Sequence, residues 1–331
     1  MSKEISLVKY TNEMETKWDN FVLNESINGT ILQTRRFLNY HPKTRFIDSS
    51  FVFFSGNNII AVIPANYLSE SNEIVSHQGS TFGGIVLSRN SCKINALDAI
   101  FSLLENYIKS NKIERITLRQ TGVIYQKYHS VLVDYYYFLH GFQSFSELGY
   151  YIDLKNSSNN IIEDFRSSTR RKYRYSLKND LTFRELIEDI DIEEFYNVLC
   201  DNYRKFDKKP VHSLNEIKDL YHDKLAEFVR FYGVFKDDEM LAGAMIFVFD
   251  KQVFHTQYLA VRQDSTKQFI NEYLYTNLII EAKKESFDNI SFGTVVLDYG
   301  KIMNHSLAMY KEGYGTNTYI DYVYTKKFNL N

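Results

Sequence analysis

The chain has 331 residues, 44% hydrophobic and 24% charged, with 39 Lys and Arg against 41 Asp and Glu. That balance excludes bulk disorder and a general nucleic-acid coat protein, and the length suits two domains of about 150 residues each. The 26 Tyr and 25 Phe against 3 Pro and 1 Trp point to wet-edged cores or a polar, ring-lined cleft.

The first half reads as mixed α/β. Trp18, Phe21, Val22 and Glu25 fit a helix with apolar residues at i, i+3 and i+4. Phe51–Phe54 and Ile59–Ala65 flank Ser55-Gly56-Asn57-Asn58 as a β-hairpin. Leu97, Ile100, Phe101, Leu104 and Ile108 mark one face of a strong helix, and Ile113–Leu118 follows as a strand. Val131–Leu139 reads as a short helix stopped by Gly141, and Tyr150–Leu154 as a strand.

The second half repeats that plan. A basic helix spans 160–178, a strand Leu181–Leu186, and helices Glu193–Tyr203 and Leu214–Phe228. Phe231–Phe235 and Leu241–Phe249 form a hairpin around Lys236-Asp237-Asp238-Glu239, and Val253–Val261 is a strand. Then come a helix Phe269–Lys284, a strand Ile290–Phe292, a helix Ile302–Glu312 and a last strand Thr318–Tyr324. Ile60-Ala61 answers Leu241-Ala242, and Gly141-Phe142 before Tyr151-Ile152-Asp153 answers Gly313-Tyr314 before Tyr319-Ile320-Asp321. Together with the matching helix-strand pairs, this order suggests a tandem duplication of one α/β unit. The polar stretch 155–160 sets the expected domains at 1–155 and 156–331.

Several functional classes drop out. Cys92 and Cys200 lie too far apart for a CxxC or four-cysteine zinc framework, and His212 and His222 lack an acidic ligand pattern, so no metal is expected. HExxH, GxSxG and GxxxxGK[ST] are absent. The start Met1-Ser2-Lys3-Glu4-Ile5-Ser6 carries no apolar signal core, and the strongly apolar run Met240–Phe249 is about half a membrane span, so the expected location is the cytoplasm.

Four stretches carry a family resemblance: Ser168-Thr169-Arg170-Arg171-Lys172-Tyr173-Arg174-Tyr175-Ser176-Leu177-Lys178, Leu241-Ala242-Gly243-Ala244, Ile290-Ser291-Phe292-Gly293, and Leu307-Ala308-Met309-Tyr310-Lys311-Glu312-Gly313-Tyr314-Gly315. Their order resembles the Fem family, aminoacyltransferases of peptidoglycan cross-bridges built from duplicated GNAT units. The stretch Ser76–Gly84 is similar to Fem-related acyltransferases found beside surface-polysaccharide genes. The resemblance implies an α/β (α+β) fold of tandem GNAT-like domains, each a mixed sheet flanked by helices. It implies transfer of an activated acyl group to an amine of a peptidoglycan or surface-polysaccharide precursor. No tightly bound cofactor is implied. The donor is acyl-CoA, aminoacyl-tRNA or an acyl-carrier protein. Its pyrophosphate-loop position reads Arg262-Gln263-Asp264-Ser265-Thr266-Lys267, poor in the glycines that let backbone N–H groups reach phosphate. The other class kept open is a catalytically degenerate pair that binds tRNA or glycan phosphate.

The candidate residues divide by role. Tyr310 and Lys311 match the family element near the donor carbonyl and phosphates, and His255 is a candidate general base because an imidazole titrates near neutral pH. Arg166, Arg170, Arg174 and Lys178 recur every four residues, Arg171 and Lys172 widen the stripe, and no acid interrupts it. Arg170, Arg171 and Arg174 are therefore expected to hold phosphate, of tRNA or of a diphosphate-linked sugar; the alternative is a solvated face paired with Glu185, Glu188 or Asp189. His77, Tyr258 and Gly293 complete the expected substrate contacts. Asp48 and Asp298 are both candidates to take the amine proton. Tyr135-Tyr136-Tyr137-Phe138 suggests either a peripheral membrane contact or core packing.

Overall fold

The computed structural model describes residues 4–42, 44–204, 207–262 and 269–329. Contacts divide the chain into two compact units: Met1–Glu147 with Asp298–Gly300 and Ile320–Asn331, and Leu148–Leu297 with Lys301–Tyr319. The units are not consecutive halves of the chain, as a boundary at 155/156 would make them.

Unit 1 contains β1 (Ile5–Lys9), α1 (Glu15–Asn20), α2 (Arg35–Leu38), β2 (Phe51–Ser55), β3 (Asn58–Ile63), β4 (Ala65–Leu68), β5 (Glu73–Ser76), β6 (Val86–Leu87), α3 (Ile94–Ser110), β7 (Arg115–Arg119) and α4 (Leu132–Leu139). Strand β8 (Gln143–Asp153) begins in unit 1 and ends in unit 2. Unit 2 contains α5 (Ser167–Ser176), β9 (Thr182–Glu185), α6 (Asp189–Arg204), α7 (Leu214–Asp219), β10 (Val229–Lys236), β11 (Glu239–Phe249), β12 (Val253–Val261), α8 (Ile270–Lys284), β13 (Asn289–Thr294), β14 (Val296–Leu297), β15 (Ile302–Met303) and α9 (His305–Glu312). The last strand, β16 (Asn317–Lys327), begins in unit 2 and ends in unit 1.

In unit 1 the strands run β1-β2-β3-β6 in one antiparallel sheet and β4-β5-β7-β16 in a mixed one. Successive side chains of a strand point to opposite faces. Phe51 and Phe53 accordingly enter the main core with Leu97, Phe101 and Leu104 of α3, while Val52 enters a smaller core with Trp18 and Phe21. Both faces are apolar, so β2 reads as a continuous hydrophobic run rather than an alternating one. In unit 2 the order is β8-β13-β12-β11-β10-β9. The central strand β11 is buried from Met240 to Phe249, between α8 residues such as Leu274 and Leu278 on one face and α6 on the other.

Each unit has one parallel pair joined by a helix: β5 and β7 across α3, β12 and β13 across α8. Three expected helices differ. The one expected over Leu214–Phe228 is α7 (Leu214–Asp219) with a π-helical turn to Lys224. Ile302 and Met303 pair with Leu297 and Val296 as a hairpin, and the Asn304 side chain caps Leu307 N at 3.0 Å, so α9 starts at His305. The basic segment breaks at Phe165 and Arg166, where Arg166 N donates to Gly313 O at 2.9 Å; a 3-10 turn (Ile161–Asp164) precedes it and α5 follows.

Candidate active site

The site in unit 2 starts where a parallel ladder ends. β12 and β13 pair only through Val253–Asn289, Phe254–Ile290 and His255–Ser291, although both strands continue. Two irregularities sit at that point. Met245 faces Tyr258 and Ile246 faces Thr256, leaving Gln257 as an extra residue in β12. On β13 the ladder to β8 skips Phe292 and Gly293, and Gly293 has φ +67°, a backbone state that favours glycine. Bulges of this kind re-aim backbone groups at the end of a ladder.

Lys311 of α9 holds the second bulge. Its Nζ donates to the carbonyls of Phe292, Gly293 and Thr294 at 2.5, 3.1 and 3.1 Å. The side chain is 3% exposed, and burial lowers its pKa to about 7. The packed side of α9 carries Ala308 and Lys311, both buried, with Leu307 and Tyr310 half-buried beside them, while Met303 lies exposed in the hairpin. His255 stands beside the bulge. Its Nδ1 is 3.2 Å from Ser291 Oγ, and a β-carbon on Gly293 would lie 3.7 Å from its Cε1. Burial, reinforced by the Lys311 charge, lowers its pKa to about 4, so the imidazole is neutral at pH 7. The structure thus gathers Lys311, Gly293 and His255, and adds Ser291, which the sequence placed in a motif without a role.

The other expected residues are placed differently. Tyr310 turns away from Lys311: its hydroxyl meets that of Tyr314 at 2.8 Å, and its ring packs edge-on to Tyr275. Burial raises its pKa well above the usual phenol value, so it stays protonated. Tyr258 lies past the Gln257 bulge, and its hydroxyl shares a 2.6 Å hydrogen bond with His212 Nδ1. That partnership has no sequence signal, because the residues are 46 apart on a loop and a strand.

The basic helix is partly neutralised. Arg166 pairs with Glu312 at 2.7 Å and Lys172 with Glu272 at 3.1 Å, carboxylates distant in sequence, so the stripe is not six uncompensated charges. Arg170 donates to the Glu163 carbonyl at 3.4 Å. α5 buries Thr169, Tyr173 and Ser176, which turns Arg171 and Arg174 outward; both are exposed, with no carboxylate in ion-pair distance among the described residues. Of the pyrophosphate-loop position, residues 263–267 lie outside the described residues, and Arg262 donates from Nε to the Met240 carbonyl at 2.7 Å.

In unit 1 the equivalent gap is filled by the chain itself. β5 and β7 pair through Glu73–Arg115, Ile74–Ile116 and Val75–Thr117. Beyond that, Gly83 N donates to Arg119 O at 2.9 Å, and the Gln120 carboxamide both accepts from Ile85 N (3.1 Å) and donates to Ile85 O (3.2 Å). A β-carbon on Gly84 would lie 2.0 Å from Gln120 Oε1, so only glycine lets the segment pass. His77 lines a separate cleft of unit 1; burial lowers its pKa to about 3. Asp48 is tied to Arg35 at 2.5 Å, and Asp298 lies exposed in the β14–β15 turn. Tyr136 and Tyr137 pack in the core while Tyr135 and Phe138 are exposed. Among the described residues no helix is long and apolar enough to cross a membrane, and no group of three or more His, Cys, Asp or Glu is placed to hold a metal ion.

No protein-family model matches the chain, and no curated protein matches it in sequence. Solved structures do match. FemX aligns over 98% of both chains with a TM-score of 0.70 at 13% identity. The C-terminal domain (DUF2156) of a putative lysylphosphatidylglycerol synthetase from Agrobacterium fabrum covers 97% of this chain and 93% of its own, with a TM-score of 0.62 at 11% identity. A tandem GNAT protein from the clavulanic acid biosynthesis pathway covers 98% of both chains, with a TM-score of 0.58 at 8% identity. With its parallel pair in each unit and the bulged parting of β12 and β13, the chain has the α/β fold of tandem GNAT-like domains, the fold of FemX.

Proposed function

We propose that the protein is an acyl or aminoacyl transferase acting on an amine of a cell-envelope precursor. The observation that carries this reading is the Lys311-held bulge at Gly293, set where β12 and β13 part, with a neutral His255 beside it. In this reading the donor carbonyl lies against the bulge, and fixed backbone dipoles with the Lys311 charge stabilise the oxyanion that forms. The amine nitrogen attacks the carbonyl carbon and a C–N bond forms. The C–S or C–O bond to the carrier breaks, the amine proton passes to His255, and the departing sulfur or oxygen takes up a proton. Orientation supplies much of the rest. Arg171 and Arg174 hold phosphate of the donor, which is acyl-CoA, aminoacyl-tRNA or an acyl-carrier protein. The names of the similar structures, FemX and a lysylphosphatidylglycerol synthetase, support aminoacyl donors and envelope acceptors.

The test is mass spectrometry of products formed from each donor class with amine-bearing peptidoglycan and polysaccharide precursors. A mass increase equal to the acyl group, lost in Lys311→Met, is the expected result. No product from any donor would leave the degenerate binding module as the reading.

A further inference from the structure

The cleft that holds His77 lies wholly within unit 1 and has a volume of about 540 Å³, enough for one or two sugar rings. One wall is a continuous hydrogen-bonded run. Glu15 Oε2 accepts from the Asn39 carboxamide at 3.0 Å, Asn39 Oδ1 accepts from Arg35 Nη2 at 3.1 Å, and the same Nη2 donates to Asp48 Oδ2 at 2.5 Å. Arg35 is 3% exposed, its second arm donates to Ser50 Oγ at 3.1 Å, and the Tyr10 ring lies 3.7 Å from its Cζ. The guanidinium is therefore fixed in plane, with a carboxylate at each end of the run.

The facing wall is aromatic. Phe46 meets His77 at 4.9 Å and His41 at 5.0 Å between centroids, and the two imidazoles stack at 6.0 Å. His77 stays uncharged at neutral pH because it is buried. The lining residues thus carry one guanidinium against two carboxylates, and Arg45 stands at the rim with Nη1 3.2 Å from His41 Nδ1. Among the described residues of the polar wall phosphate finds no unshared cation, since the Arg35 guanidinium is matched by Asp48. Hydroxyl groups find planar donors and acceptors, the apolar face of a pyranose finds Phe46, and an ammonium finds Glu15 and Asp48.

We infer that this cleft binds an amine-bearing, unphosphorylated sugar, its ring against Phe46 and its ammonium at the carboxylate ends of the Glu15–Asn39–Arg35–Asp48 run. The role of that amine as acceptor rests on the acyl-transfer reading; the binding does not.

The experiment is NMR titration of the intact protein with three probes: methyl glucosaminide, its N-acetyl counterpart and glucosamine 6-phosphate. The expected result is shift changes centred on Asn39 and Phe46, with the free-amine glycoside binding about tenfold more tightly than the N-acetyl one and no gain from phosphate. Glu15→Gln, which keeps the shape and the link to Asn39, should erase most of that preference with an unchanged melting temperature, and Phe46→Ala should weaken both glycosides alike. Equal binding of the amine and N-acetyl probes, preference for the phosphate, shifts centred elsewhere or no binding would each overturn the inference. Sugar binding here without transfer from any donor would overturn only the transferase reading. Transfer to an amine with this cleft empty would overturn only the cleft.

Discussion

Lys311 donates to the carbonyl of Gly293, a residue held at φ +67°, so a buried charge on one helix maintains a left-handed turn of β13. The lysine is therefore a structural part of the bulge as well as a candidate for the chemistry. Lys311→Met keeps the stem but leaves three carbonyls without their donor. We expect a loss of about 2–4 kcal/mol in urea unfolding, and a fall of about 10²–10³ in turnover measured under native conditions. A fully stable variant with wild-type turnover would remove Lys311 from both roles.

Asp321 gives the pH dependence. Burial, with the Glu147 charge adding to it and Arg119 opposing, raises its pKa from 3.8 to about 7, and Oδ1 has no hydrogen-bond partner. A carboxyl that is harder to ionise in the folded state favours folding fully below its unfolded pKa, and that contribution is lost as pH rises to the folded value. Compared with Asp321→Asn, the wild type should lose stability between about pH 4 and pH 7, by up to about 4 kcal/mol, and no more above. Urea midpoints of both proteins across that range measure it, and parallel curves would contradict the assignment.

Arg171 and Arg174 are exposed cations on a helix whose other face is packed. Changing both to Gln should leave the melting temperature within a degree or two, since exposed charges stabilise little. Binding of a phosphate-bearing donor should weaken by about 1–3 kcal/mol for each arginine–phosphate hydrogen bond removed, and should become less sensitive to salt. Unchanged affinity and salt dependence would mark the pair as solvated surface.

The filled gap in unit 1 predicts stoichiometry. Gly83, Ile85 and Gln120 occupy the space beyond the β5–β7 ladder, so calorimetric titration of the true donor should give one site per chain. Two equivalent sites would contradict it. Gln120→Ala removes one partner from each backbone group of Ile85, whose carbonyl keeps Asn28 Nδ2 at 2.8 Å and whose N–H keeps the Tyr137 hydroxyl at 3.4 Å, and should cost about 1 kcal/mol in stability.

The local patterns were legible. β12 spans the expected residues, α3 buries Leu97, Ile100, Phe101, Leu104 and Ile108, and both hairpins turn where glycine or aspartate takes φ above zero. What the sequence hid is non-local. Ile302 and Met303 continue a helical period but find β14 as a partner, and tertiary pairing wins over a weak propensity at a helix end. The six-cation stripe looked bare because its carboxylates, Glu272 and Glu312, lie 100 and 146 residues from the cations they pair with. Resemblance singles out Lys311, but its three carbonyl partners depend on where a bulge forms, which no spacing reveals. The Arg35–Asp48 pair had no motif at all.

The path of β16 has a consequence for how the protein is made. Val323–Lys327 form the ladder to β7 and bring Tyr324 and Phe328 into the core of unit 1. Unit 1, most of whose strands precede those of unit 2, is therefore completed only after Lys327 has emerged. Until then the β7 edge stays open to any passing strand, the state in which nascent chains aggregate. A nascent chain stalled near Lys155 should hold onto chaperones longer than one stalled after an ordinary N-terminal domain of that length.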